Sequence, residues 1–121
     1  MNRTGSERGQ ATVEFTLLLP VFVLALLAVV QVALLVRDQI AVVHAAREAV
    51  REASVDPDPN AALRVARSTL AGVEVFVGPR PAVGESISVE VTYVAKTDLP
   101  LVGVLMPDPT LRARAVMRVE R

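Results

Sequence analysis

The sequence predicts an α+β protein. A long N-terminal helix starts in a membrane and runs on as a stalk, a short second helix follows, and a small three-stranded antiparallel sheet packs on the outer half of the long helix. Three observations carry this reading. Residues 15–36 hold no charged side chain, residues 37–54 continue without glycine or proline, and after Gly72 the apolar residues change from helical spacing to alternation.

Composition bounds what such a chain can do. With 121 residues in all, and the first third given to the apolar run and its leader, roughly 85 residues remain, enough for one small domain with a modest core. Thirteen basic and thirteen acidic side chains balance to a formal charge of zero, so no long-range field selects nucleic acid or an acidic substrate. Cysteine is absent and histidine occurs once, which excludes a disulfide framework and a thiolate metal site. There is no phosphate-binding loop and no convincing pair of carboxylates, so the sequence predicts no enzyme, no catalytic residue, no cofactor and no metal.

The opening residues 1–9 form a polar leader. Arg3 and Arg8 against Glu7 give it a small positive excess, which places it in the cytoplasm by the positive-inside rule. The run that follows is roughly 22 residues, or about 33 Å as a helix, the thickness of the hydrocarbon core of a bilayer. A secretory signal peptide competes with this reading, but its apolar region is about 7–15 residues long and ends in a small-x-small site; neither holds here. A lone carboxylate, Glu14, stands at the lip of the run and is followed by Phe15. Pro20 lacks an amide hydrogen and its ring crowds the carbonyl of Thr16, so a kink or local loosening is expected, with the Thr16 hydroxyl available to the freed carbonyl. Gln31 either faces headgroups near the far interface or hydrogen-bonds a second helix.

Residues 10–54 therefore read as one transmembrane and stalk helix. In the stalk, RDQIAVVHAAREAVREAS, the residues Ile40, Val43 and Val50 with several alanines form an apolar stripe that needs a cover. His44 lies in that stripe with no second histidine or carboxylate beside it, which points to a structural or solvated role. Residues 55–121 form the extracytoplasmic domain. VDPDPN is a turn in which Asp58 and Pro59 suit the N-cap and first position of a second helix. Ala62, Leu63, Ala66 and Leu70 share one side of that helix, and Gly72 is placed to end it.

Three alternating runs follow, built on Val73, Val75 and Val77, then on Ile87, Val89, Val91 and Tyr93, then on Leu111 to Val119. Short connections favour antiparallel pairing. Arg112, Arg114 and Arg118 share the polar face of these strands with Glu74, Glu90 and Glu120, so cross-strand ion pairs explain them better than a nucleic-acid surface, and no stacking aromatic accompanies them. Between the second and third strands, residues 97–110 are unusually apolar for a loop. Leu101, Val104 and Leu105 either plug the open edge of a small core or meet a partner or the bilayer.

These pieces resemble the TadE-like family, small pilin-like proteins of the tight-adherence (Flp) branch of type IV pilus systems. The resemblance rests on GQATVEF followed by LLLP, on AAREAVR in the stalk, and on the closing strand with its terminal Arg-Val-Glu. Ala49 stands where relatives commonly have glycine, and Gln31 where they often carry an acid. The resemblance implies cleavage by a prepilin peptidase after Gly9, leaving Gln10 as the mature N-terminus, with Glu14 and Phe15 serving assembly. It further implies a minor-pilin or pseudopilin role at the cytoplasmic membrane. The partners it implies are the peptidase, other pilin-like subunits and the inner-membrane assembly platform, besides the lipid bilayer. The competing function is an uncleaved, membrane-tethered binding or regulatory module.

Overall fold

The computed structural model describes residues 4–97 and 102–120. Helix α1 runs from Thr4 to Val55, helix α2 from Pro59 to Thr69, strand β1 from Glu74 to Val77 and strand β2 from Ser86 to Val94. A helical turn, α3, covers Val102–Leu105, and strand β3 covers Thr110–Arg118. The fold class is the expected one: a long apolar helix, a short second helix, and a three-stranded antiparallel sheet in contact with the long helix. α1 begins inside the stretch read as leader, and it passes Pro20 without a break. The chain forms two compact units, one of Met1–Ala33 with Thr97–Pro107 and one of Leu34–Lys96 with Asp108–Arg121.

In the second unit the strand order is β1-β2-β3. Val75 stands opposite Val91 and Val77 opposite Val89, while Ala113 faces Val91, Ala115 faces Val89 and Met117 faces Ile87. Alternation sends Ile87, Val89 and Val91 to one face, where they are buried. Against them α1 sets Val42, Ala45, Ala46, Ala49, Val50 and Ala53, all at most 3% exposed. This is an i, i+3, i+4, i+7 stripe that keeps Val50 and the alanines of the expected one but is turned away from its other two members. Ile40 is 65% exposed and Val43 only half-buried, because the sheet meets the helix on its alanine-rich side, where short side chains let the backbone approach closely. His44, one position off that side, is exposed, the solvated of its two expected roles.

Helix α2 starts as its sequence dictates. Asp58 has an extended backbone and its carboxylate accepts from Asn60 N–H at 2.9 Å, with Pro59 in the first turn. Ala62 and Ala66 are fully buried in the common core, with Leu70 packed against it. Leu63 is half-buried. Gly72, just beyond the helix, has φ +78°, a conformation that side chains with a Cβ rarely adopt.

The end of α1 is where distant parts of the chain meet. Its last turn carries no basic residue, so the partial negative charge of its terminal carbonyls needs a cation from elsewhere. Arg80 supplies it from the β1–β2 connection, donating to the carbonyls of Ala53 at 2.5 Å and Asp56 at 3.1 Å. The chain beyond β3 returns to the same place. Val119, 1% exposed, bonds through its N–H to Glu85 O at 2.8 Å, and Glu120 N–H donates to Ser54 O at 3.0 Å. Ser54 is itself buried and turns its hydroxyl to Arg51 O at 2.6 Å.

Two consequences are measurable as denaturant unfolding of the full chain in a mild detergent, followed by circular dichroism. Arg80→Ala leaves the α1 carbonyls without a charged donor and lowers stability by about 1.5–3 kcal/mol. Ala49→Leu forces a larger side chain into the contact between helix and sheet and lowers it by about 1–3 kcal/mol.

Candidate functional site

The residues singled out in the N-terminal part of the sequence all lie on α1. Helical geometry brings Gln10 and Glu14 onto one face, one turn apart, and the Gln10 side-chain amide approaches a Glu14 carboxylate oxygen at 3.5 Å, the outer limit of a hydrogen bond. Gly9 is exposed, and a Cβ added there would meet no atom within 4 Å. Phe15, beside Glu14, is exposed as well. The helix thus presents a glycine, a glutamine, a carboxylate and an aromatic ring to the surroundings within about two turns.

Threonines tie this segment to the preceding turn. Thr12 Oγ1 donates to Arg8 O at 2.9 Å and Thr16 Oγ1 to Thr12 O at 2.8 Å. The Thr16 hydroxyl is therefore occupied one turn back and does not serve the carbonyl that Pro20 leaves free, because a β-branched hydroxyl on a helix reaches the i−4 carbonyl more easily than its own.

From Leu17 to Val36 the helix is apolar on almost every side, and most of its apolar groups point outward. Only 6% of its most apolar 18-residue window is buried within the protein. The helix at the core of a soluble domain would be mostly buried, and one that is apolar all round needs another helix or lipid about it. α1 is long and apolar enough to cross a membrane. Gln31 departs from this pattern at 3% exposed, and it makes no hydrogen bond to another described residue.

Of the three loop residues considered for a partner contact, Leu101 lies outside the described residues. Val104 is 90% and Leu105 76% exposed, and neither belongs to the core cluster of the sheet. The turn that carries them is set by a close approach: a Cβ on Gly103 would lie 2.8 Å from Thr97 O, so no larger residue fits there without a shift of backbone.

The polar sheet face carries its charges differently from the expectation. Glu90 stands opposite Arg114 in the register, yet the Arg114 guanidinium donates to Ser88 Oγ at 3.3 Å. A neighbouring hydroxyl on the central strand is reached without ordering two long side chains in water, which is why exposed ion pairs add little. An ion pair joins Arg64 of α2 to Asp58 at its N-cap, at 3.6 Å. Among the described residues no three His, Cys, Asp or Glu side chains stand close enough to hold a metal ion.

Fold and site together define a class: a small α+β domain built on a single helix long enough to cross a bilayer, with a short polar and acidic segment ahead of the apolar run. Residues 9–51, a segment wholly within α1, match the family model described as TadE-like protein. The resemblance carried by GQATVEF and AAREAVR is thereby borne out over that segment. No curated protein and no solved structure gave a match.

The exposure of the α3 turn has a direct test. Replacing Val104 and Leu105 together with Ser should change unfolding free energy by no more than about 0.5 kcal/mol, as at other surface positions. Equilibrium denaturation of the double variant against wild type measures it.

Proposed function

We propose that this chain is a membrane-anchored, pilin-like component of tight-adherence pilus assembly, processed by a prepilin peptidase after Gly9. The observation that supports this reading most directly is the match over residues 9–51, which starts at Gly9 itself and includes the apolar run of α1, whose side chains are mostly exposed. In this proposal residues 1–9 are a cytoplasmic leader, residues 10–54 anchor and stalk, and residues 55–121 a domain outside the cytoplasmic membrane. Its partners are the peptidase, other pilin-like subunits and the assembly platform in the inner membrane, and its role is structural rather than enzymatic. Pro20 gives the anchor a point of weaker hydrogen bonding, and Val104 and Leu105 offer neighbouring subunits or lipid an apolar contact.

Glu14 is the residue on which assembly turns. An unpaired charge inside a bilayer costs about 2.5–3.5 kcal/mol at the helix centre and less near the interface. Cutting after Gly9 creates a positive amine on Gln10, one helical turn from Glu14, and pairing removes the penalty from both groups. The amine of a neighbouring chain serves equally well and would also set the axial offset between subunits.

One observation favours the uncleaved alternative, a tethered binding or regulatory module. α1 is already helical on both sides of Gly9, and a peptidase must unwind that turn before cutting. The mature mass decides between the two: co-expression with a prepilin peptidase yields a chain beginning at Gln10 if the proposal holds, and an unchanged mass rejects it. A second measurement addresses Glu14. Glu14→Gln should insert into the membrane and be cut normally while failing to enter the assembled complex, scored by pulldown of the other pilin-like subunits. Wild-type assembly of this variant would show that the carboxylate has no part in assembly.

A further inference from the structure

The third strand has an open edge whose backbone groups can be assigned one by one. Ala95 N–H bonds to Pro109 O, and Val119 N–H to Glu85 O, so odd-numbered residues at both ends of β3 turn their backbone toward β2. Even-numbered residues turn theirs to the outer edge. Both ends of that edge are tied to α1: Gln39 Nε2 donates to Arg112 O at 3.3 Å, and Glu120 N–H to Ser54 O. Between the ties, the outward N–H and C=O groups of Arg114 and Val116 have no partner among the described residues. Beside them lies an open groove of about 570 Å³ between α1 and β3, floored by Val43, Ala46, Val50, Ala113, Ala115 and Met117. Its rim carries Arg47, Arg51, Arg112 and Arg114 against the single acid Glu48.

We infer that this edge is a docking site for a short, extended, acidic segment of a partner protein, which adds to the sheet as a fourth strand. Each feature does part of the recognition. The free backbone groups supply a ladder, the small side chains of Ala113 and Ala115 leave room for an apolar residue at every second position, and the arginines select negative charge. The same arginines reject a like edge, since pairing β3 with β3 of a second copy would bring two sets of Arg112, Arg114 and Arg118 together. From Arg112 to Arg118 the edge spans about 20 Å, room for a strand of five or six residues. None of these features depends on the pilus reading.

The test uses the full chain in neutral detergent micelles and a fluorescent eight-residue peptide alternating glutamate and valine. Its lysine counterpart and a version N-methylated at alternate amides are the controls. The glutamate peptide should bind at least ten-fold more tightly than either control and slow amide exchange at Arg114 and Val116. Val116→Pro removes an N–H turned away from β2, so it should leave the melting temperature nearly unchanged while weakening binding at least ten-fold. Arg114→Glu should weaken it similarly, and decides the matter if the proline variant does not fold. Equal binding of the three peptides, or undiminished binding to the folded Val116→Pro chain, overturns the inference. So does protection of the same two amides by phosphatidylglycerol vesicles or by self-association when the glutamate peptide gives none.

Discussion

How closely a helix can lie on a sheet is set by the side chains between them, and the domain of this protein is built on that distance. Ala45, Ala46, Ala49 and Ala53 on α1, with Ala62 and Ala66 on α2, bring helical backbone down onto Ile87, Val89 and Val91. A core made of alanine and valine buries little apolar area per residue, and it has almost no aromatic mass to add. What it gains is tight contact, which holds only while the small residues stay small. The rest of the domain follows from that constraint: the end of α1 must be fastened, since packing alone is thin there, and Arg80, Ser54 and Glu120 fasten it.

Much of this was legible in the residues. The switch from helical spacing to alternation after Gly72 marked where strands begin, and all three strands lie within a residue of the runs that predicted them. Asp58 and Pro59 marked the start of α2, and the helix that carries the apolar run ends at Val55, one residue past its expected limit, though it starts at Thr4, inside the stretch read as leader. What escaped was contact geometry. A stripe containing Ile40 and Val43 is as hydrophobic as one containing Val42 and Ala46, and only the sheet decides between them. Arg80 sits among the glycines and prolines of residues 78–84, whose composition signals only a turn. The absence of any cation in the last turn of α1 was the signal that a distant one would be recruited. Periodicity also could not say that Gln31 would be buried, because burial of a single polar group depends on what folds back over it.

The candidate functional residues divide in the same way. Gly9, Gln10, Glu14, Phe15 and Pro20 are local to one helix, so a motif in sequence is also a motif in space, and the match over residues 9–51 covers all of them. Val104 and Leu105 depend on a loop whose conformation no short-range rule specifies. Their exposure and the tight fit of Gly103 against Thr97 came only with the fold. The free backbone of β3 was equally hidden, since which residues of a strand face its edge follows from register and not from composition.

The convergence of Arg80, Ser54 and Glu120 on the end of α1 bears on how the domain takes mechanical load. A force drawn along α1 reaches the sheet through the buried face of the helix and, at the helix end, through the Arg80 and Glu120 hydrogen bonds together. No one strand is then the first to peel, because β1–β2 is tethered through Arg80 and β3 through Glu120 to the same turn of helix. Tension on the helix is thereby divided between the two sides of the sheet instead of falling on one strand.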